Sequence, residues 1–327
     1  MAALSDAMLV VAVLGYLAAM IGHAAEYAFG PRGAVARVAA TVPSGAPTRA
    51  PRLSAELAEG RPPREAAPTG ARARTRGELT GRIALAALLL AAVAHAAAVT
   101  TRGIAAGRVP WGDMYEFLLT GTFIGVVTWL VVLRRWPAVR HLGLYVALAN
   151  VLLLGLAGMV VYVPVGPLQP ALDSYWLVIH VAAAALAAGI FLIGFVAAVM
   201  YLIRAGADRG RSGFPYTLAP RLPAAAVLER LAFRLHAFGF PIWTFAALIA
   251  GPIWAEAAWG RYWGWDPKEV WAFISWVVYA AYLHARATPS VSRTTAAWLA
   301  IAGWLTMLMN LFGVNLFFEG LHSYAGV

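Results

Sequence analysis

The chain has 327 residues, of which 61% are hydrophobic and only 12% are charged. A single soluble core of this size does not need so much apolar surface, whereas each membrane-spanning helix needs about 20 mostly apolar residues. The net charge of +10 comes almost wholly from arginines in a few loops, which is typical of membrane orientation rather than of nucleic-acid binding. Because the chain contains no cysteine, disulfides and thiolate-held metals are excluded, and metal or redox chemistry must use histidine.

Eight apolar runs, taken in chain order, predict eight transmembrane helices and therefore an all-α polytopic integral membrane protein. The first run lacks a basic segment before it and a small-residue cleavage site after it. We therefore expect a retained helix rather than a signal peptide. The runs lie near residues 7–29, 83–101, 115–133, 142–162, 175–203, 238–256, 267–285 and 295–317.

Arginine placement predicts the orientation and the domain organisation. Arginines follow the first, third, fifth and seventh runs, so these loops are expected on the cytoplasmic side and both termini on the outer side. Residues 30–80 are rich in Pro, Ala, Gly and Arg without an apolar period, which predicts a disordered cytoplasmic linker. Residues 1–29 then form a first transmembrane helix, and residues 81–327 form a seven-helix membrane domain.

A loop rich in tryptophan, residues 254–271, separates the sixth and seventh runs. It includes Trp259, Trp263 and Trp265, with glycines between them. An aromatic belt at the membrane interface explains two or three such residues, but not this density. Glycines let the backbone approach a flat ligand while indole rings stack beside it. The loop therefore favours an outward-facing aromatic platform for a planar macrocycle such as haem.

The segment from Asp266 to Glu269 has the pattern of a helix start, with an N-cap acid, a proline at the next position and a glutamate three residues after the cap. We therefore expect Asp266 and Glu269 to begin the seventh helix rather than to transfer protons. Lys268 is the only lysine in the chain. It is expected on the outer side, where it could pair with Glu269 or with a ligand carboxylate, and pairing with Glu269 is the favoured prediction.

Two of the seven histidines are expected at the depth of the tryptophan-rich loop. His322 follows the eighth run, and His180 lies in the outer part of the fifth. Two imidazoles from different helices at one depth can occupy both axial positions of a haem iron. The alternative for each is an interfacial hydrogen-bonding residue, but a matched pair beside an aromatic platform favours ligation.

A third histidine, His284, is expected roughly 25 Å deeper, near the cytoplasmic side. An ionisable residue inside a transmembrane helix indicates a functional site, although a histidine that reaches the inner interface is the alternative. If His284 binds haem, the protein has an inner and an outer site. A second inner ligand is not obvious, because His23 and His95 are expected to be packed polar residues. His141 and His236 are expected at the surface.

Several motifs together resemble the CcsA/ResC group of cytochrome c biogenesis proteins, which belong to the wider WWD-domain haem-handling family. The resemblance extends from about residue 85 to the end of the chain, and it is weakest in the first helix and absent from the linker. The segments that carry it are Trp111–Glu116, Gly239–Gly251, Trp259–Glu269, Tyr282–Arg286, Gly313–Asn315 and Gly320–Tyr324.

The resemblance implies haem b as the cofactor, with His180 and His322 as outer axial ligands on either side of the tryptophan-rich loop. It implies that His284 ligates a second haem within the membrane. A histidine of a separate ResB/CcsB-type membrane partner would complete that inner site, with His23 as the open alternative. The remaining cofactor-binding residues expected from the loop are Trp259, Trp263, Trp265 and Asp266.

The implied function is that of the membrane subunit of a system II cytochrome c synthase in the bacterial cytoplasmic membrane. Such a protein moves haem outward and presents it to apocytochrome c, whose Cys-x-x-Cys-His motif supplies both thiols, so no catalytic residue is assigned to this chain. One alternative is a b-type electron-transfer protein, which requires two bis-histidine pairs at two depths. Another is a proton or solute transporter that uses buried polar residues, for which the candidates are Glu116, Asn150, Asn310 and Asn315.

Overall fold

A computed structural model describes residues 1–29 and 70–322, without the side chains of residues 70–76 and 171. Every regular element in these ranges is helical, which confirms the predicted fold class. The helices are α1 (Ala2–Phe29), α2 (Gly70–Ala106), α3 (Met114–Arg135), α4 (Gly143–Met159), α5 (Tyr175–Asp208), α6 (Ala225–Phe245), α7 (Gly251–Trp259), α8 (Pro267–Ala287), α9 (Arg293–Leu308) and α10 (Val314–Phe317).

Short helical turns connect several of these helices. Three 3₁₀ turns cover Pro137–Leu142, Pro170–Leu172 and Tyr216–Arg221. Two π-helical turns, Ala246–Ala250 and Met309–Gly313, join α6 to α7 and α9 to α10 without a break in the helix. Most of the predicted linker, residues 30–69, lies outside the described residues, and its last part, 70–80, belongs to α2.

Seven helical segments of the described chain are long and apolar enough to cross a membrane, so the protein is a multi-pass membrane protein. The remaining predicted span, the seventh run at residues 267–285, forms α8, a helix of 21 residues that is less apolar than the others, because it contains several tryptophans and tyrosines and charged residues near both ends. The seven segments are Ala2–Ala28, Gly77–Ala106, Met114–Arg135, Pro137–Met159, Tyr175–Asp208, Ala225–Trp259 and Arg293–Phe317.

Helices α1 and α2 pack closely as an antiparallel pair. A Cβ atom on Gly15 would lie 2.8 Å from that of Ala91, so the glycine is what lets the two backbones approach. Within this pair His95 is fully buried, and its ring nitrogens bond to the Tyr16 hydroxyl at 3.1 Å and the Leu119 carbonyl at 2.9 Å. His95 is therefore the packed polar residue that the sequence predicts.

Helix α5 is the most buried of the helices and packs against α3, α6 and α9. His236 of α6 is fully buried beside it: its Nδ1 donates to the Ala232 carbonyl at 2.7 Å, and its ring stacks on Phe191. The prediction that His236 lies at the surface is wrong. Helix α6 begins at Ala225, well before the predicted start, so His236 lies inside the helix rather than at its end.

Candidate functional site

One end of the helix bundle contains a cavity of about 210 Å³, and we call this the cavity end. Its walls come from the start of α3, α5 and α8, from both π-turns, and from α7 and the segment after α10. Most of the wall is apolar or aromatic. The polar and aromatic side chains that line it include Trp111, Asp113, His180, Trp243, Trp254, Trp259, Trp263, Lys268, Glu269, Asn310 and His322.

His180 is held by the first π-turn. Its Nδ1 lies 3.0 Å from the Ala246 carbonyl oxygen, which also accepts the N–H of Gly251 at the end of that turn. A carbonyl can only accept, so the Nδ1 carries the proton and the lone pair is on Nε2. A Cβ on Gly251 would lie 3.2 Å from the Ala246 oxygen and from His180 Cε1. Pro252 lacks an N–H to continue an α-helix here, which favours the wider turn.

His322 is held by Asp266, whose Oδ2 lies 2.7 Å from the imidazole Nδ1. Burial raises the pKa of Asp266, but hydrogen bonds from His322 and from the Leu321 N–H outweigh it and lower that pKa below its usual value. The carboxylate is therefore ionised and accepts a hydrogen bond from the Nδ1–H of His322. Burial also lowers the pKa of His322, so its imidazole is neutral at neutral pH. A Cβ on Gly320 would lie 2.5 Å from Asp266 Oδ1, so a glycine is needed at this close approach.

The ring of Trp254 contacts both His180 and His322. Its ring stacks on His180 at 5.8 Å with an interplanar angle of 8°, and it lies 5.5 Å from the ring of His322. Trp259 contacts both Trp254 and His322, with ring centroids 4.8 Å apart in each case. Trp254 is 2% exposed and packs on Leu172, so the pair of histidines is organised around a fixed indole. Trp254 is not among the site residues predicted from the sequence.

The tryptophans of the tryptophan-rich loop lie partly in the cavity wall and partly at the protein surface. Trp263 lines the cavity, whereas Trp265 does not and is 66% exposed. Trp265 has a φ of 58°, a left-handed conformation that a bulky side chain rarely adopts. This turn allows one carboxylate oxygen of Glu269 to accept the N–H groups of both Gly264 and Asp266, at 2.8 and 3.1 Å. The predicted helix start at Asp266 is confirmed as a capping box.

Lys268 lies in the cavity wall, and the favoured pairing with Glu269 is wrong. The ion pairs of the described residues do not include Lys268, because Glu269 is committed to the backbone of the loop. The Lys268 Nζ instead lies 3.4 Å from the carbonyl oxygen of Asn310 in the second π-turn. The Asn310 side-chain amide donates in return to the Lys268 carbonyl at 3.2 Å.

Another part of the cavity wall is the segment Trp111–Met114, which is held by a buried ion cluster. Glu116 is fully buried and accepts from Arg102 Nε at 2.9 Å, from Arg108 at 2.7 Å and from the Gly112 N–H at 2.8 Å. Asp113 caps α3 through the Glu116 N–H at 2.8 Å. Burial, and secondarily the charge of Glu116, raises the pKa of Asp113 to about 6.

His284 lies far from the cavity, in the last turn of α8, and it is exposed. The length of α8 separates it from Asp266 by roughly 25 Å. The structure therefore brings together His180, His322, Trp259 and Trp263 around the cavity, with Asp266 directly behind His322. It does not bring His284 or Trp265 to the same place. None of these positions by itself tests haem ligation, which stays a prediction for all three histidines.

Comparison with known proteins identifies the family. A family model described as cytochrome C assembly protein matches residues 111–322. The matched residues run from the first cavity-wall tryptophan, Trp111, to His322.

Curated relatives named cytochrome c biogenesis protein CcsA are similar over most of their length. The protein of Guillardia theta is 33% identical over 252 residues, which cover 72% of this chain and 83% of the relative. That of Synechococcus sp. (strain JA-3-3Ab) is 31% identical over 299 residues, 76% of this chain and 86% of the relative. That of Gloeobacter violaceus is 32% identical over 275 residues, which cover 69% of this chain and 81% of the relative. The chain therefore belongs to the cytochrome c assembly protein family, and within it to the CcsA type.

Proposed function

We propose that this protein takes part in cytochrome c maturation by binding haem in the cavity through His180 and His322 and presenting it to apocytochrome c. One observation carries the proposal: two imidazoles reach one cavity, and each has its Nδ1 fixed by an acceptor, Ala246 or Asp266. Histidines that bind metals almost always donate their other ring N–H to a carbonyl or a carboxylate, because this fixes the tautomer and strengthens the ligand.

The rest of the cavity suits haem b as cargo. Trp254, Trp259 and Trp263 provide flat apolar surface for a macrocycle, and the mostly apolar wall excludes water from the iron. Haem supplies the vinyl groups for attachment, and the Cys-x-x-Cys-His motif of apocytochrome c supplies the thiols, since this chain contains no cysteine. The residues of the chain then act by ligation and positioning, as the membrane subunit of a system II cytochrome c synthase.

The proposed topology has eight spans in the bacterial cytoplasmic membrane, with both termini and the cavity end on the outer side. Helix α8 is 21 residues long, enough to cross about 30 Å of hydrocarbon. Arg134, Arg204 and Arg286 are at the ends of helices away from the cavity, which supports a cytoplasmic position for that end. Haem bound at the cavity end would then face the compartment in which apocytochrome c is matured.

For the inner site, we propose that His284 binds haem together with a histidine of a ResB/CcsB-type partner. The exposure of His284 supports a shared site, because a ligand shared between two proteins must lie at a surface. His23 is a poor second ligand. It is buried, its Nδ1 lies 3.4 Å from Glu26, and Glu26 is also paired with Arg140.

The electron-transfer alternative fits the structure less well. Two fixed b-type haems need two histidine pairs, but within the described ranges only His180 and His322 share a cavity of haem-binding character. His95 is fully buried with both ring nitrogens bonded, and His236 is fully buried with its Nδ1 bonded to the Ala232 carbonyl; neither lines the cavity with a second histidine. The polar residues considered for a transporter are also engaged: Glu116 with two arginines, and Asn150, Asn310 and Asn315 with backbone carbonyls.

The test is to purify the protein with its partner, to record the haem spectrum and to measure cytochrome c maturation for His180→Ala, His322→Ala and His284→Ala. We expect each change to abolish maturation, and we expect the first two variants to keep haem at the inner site. Added imidazole should restore part of the activity, because it can replace a missing axial side chain. His141→Ala, remote from the cavity, is the matched control. Normal maturation in all three variants would refute the proposed function.

A further inference from the structure

Lys268 is the cation of the cavity. It is the only lysine of the chain, and it lines the same cavity as His180 and His322. Its Nζ has three N–H donors, whereas its one hydrogen bond among the described residues is to the Asn310 carbonyl at 3.4 Å, which is long for a charged donor. An ammonium in a mostly apolar cavity is costly without an anionic partner. The side chain is therefore incompletely satisfied in the protein alone.

The acidic groups of the cavity wall do not supply that anion. Glu269 accepts the N–H groups of Gly264 and Asp266, and Asp113 accepts the N–H of Glu116. The Oδ2 atom of Asp113 also lies 3.6 Å from Nη2 of Arg102. Both carboxylates are committed to local partners. Asp266 is the nearby carboxylate whose charge acts on Lys268, but its two oxygens are bonded to the Leu321 N–H and to His322, and within the described part of the chain it forms no ion pair with Lys268. A direct anionic partner for Lys268 is therefore expected from what enters the cavity.

We propose that Lys268 binds a propionate carboxylate of the porphyrin held in the cavity, and so fixes the rotation of the macrocycle about the iron axis. This inference rests on the proposed function, since it names the group of the cargo that the same cavity recognises. The cargo is then a tetrapyrrole with an ionised carboxylate rather than any flat apolar ring.

The position of Lys268 links the carboxylate contact to the iron ligand His322. It lies in the first turn of α8, two residues after Asp266, which holds His322 through its imidazole Nδ1. The second π-turn holds the other side of Lys268 through the reciprocal bonds of Asn310. One rigid helix end therefore supports an iron ligand and a carboxylate contact at once. A ring bound at both points presents the same edge, and thus the same vinyl groups, in every turnover.

The experiment compares haem with haem dimethyl ester, whose propionates carry no charge, in binding titrations of the purified full-length protein. The variants are Lys268→Met, which keeps the length of the side chain, and Lys268→Arg, which keeps the charge. Arg261→Met is the matched control, because Arg261 is an exposed cation of the same loop that does not line the cavity. Binding of the ester reports whether each variant is folded.

For the wild type and for Arg261→Met we expect haem to bind at least about tenfold more tightly than the ester, a typical effect of one charge-assisted contact. Lys268→Met should bind the two ligands equally within about twofold and keep the wild-type affinity for the ester, whereas Lys268→Arg should keep a preference for haem. A wild type without this preference, or a Lys268→Met variant that retains it, would overturn the inference and leave the proposed function standing. If the wild type bound neither ligand through His180 and His322, the proposed function itself would fail.

Discussion

The two ends of α8 carry histidine sites of different completeness. At the cavity end, the N-cap residue of the helix, Asp266, is hydrogen-bonded to His322. The ring of Trp254 contacts both His322 and the second imidazole, that of His180. At the opposite end, His284 is exposed, and the described residues give its ring no hydrogen-bond acceptor. The first arrangement offers two supported imidazoles within one chain, whereas the second offers a single imidazole. Under the proposed function, the cavity end binds haem on its own and the opposite end requires a partner.

Two ion clusters at the two ends of the bundle also differ in burial. Glu116 near the cavity is fully buried and forms ion pairs with two arginines, whereas the pair of Arg204 and Asp208, at the far end of α5, is open to solvent. The cavity end is therefore fixed by buried electrostatics, which is expensive to disrupt. Solvent can replace the exposed pair of Arg204 and Asp208.

The largest expected effect follows from this difference in charge burial. Glu116→Ala leaves Arg102 and Arg108 without their shared carboxylate, and we expect the free energy of unfolding to fall by about 3–5 kcal/mol. The control Asp208→Ala should cost at most about 1 kcal/mol, since its pair with Arg204 is exposed. Thermal unfolding in detergent measures both. Equal losses in the two variants would contradict the contrast between the two ends.

The second prediction concerns the support of His322. Asp266→Asn keeps a capping side chain but removes the negative charge beside the imidazole Nδ1, so we expect the haem affinity of the cavity to fall about 10–100-fold. The reduction potential of the bound iron should rise, because the imidazole becomes a weaker electron donor. Asp208→Asn, at an exposed pair with Arg204, is the control. Unchanged affinity and potential in Asp266→Asn would show that His322 is not an iron ligand.

The third prediction compares the effects of two tryptophans of the same loop on haem affinity, and these effects are smaller. Trp263 lines the cavity and Trp265 is exposed, so we expect Trp263→Ala to weaken haem binding about tenfold and Trp265→Ala to change it by less than about twofold. Quenching of tryptophan fluorescence by added haem measures both affinities. If Trp265→Ala had the larger effect, the platform would lie on the outside of the loop rather than in the cavity.

The smallest expected effect is a pH dependence from Asp113. Burial raises its pKa from 3.8 to about 6 in the folded protein, so its contribution to stability is fully present below the unfolded value and is lost as the pH rises through about 6. Between pH 5 and 7.5 this loss is about 1 kcal/mol. Asp113→Asn keeps the cap of α3 and should remove this part of the profile. Parallel profiles for variant and wild type would show that Asp113 is not the titrating group.

The features that were predictable from the sequence are local ones. The apolar runs predict all the long helices, and the order of residues from Asp266 to Glu269 predicts the capping box, because the interacting groups are three residues apart. The bond between Asp266 and His322 joins residues 56 positions apart, and no local pattern predicts it. The π-turns were not predicted either, although Pro252 gives a physical reason for the first one. His236 was misplaced because the charged residues at the start of α6 conceal an early helix start.

The central claim is that one haem iron is bound between His180 and His322. Its most direct test is the experimental structure of the haem-loaded protein with its partner, supported by the spectrum of the same sample. We predict a low-spin haem in the cavity, with iron bonded to Nε2 of both histidines and with their Nδ1 atoms still donating to Ala246 and Asp266. Haem bound elsewhere, or an iron that neither histidine ligates, would contradict the account.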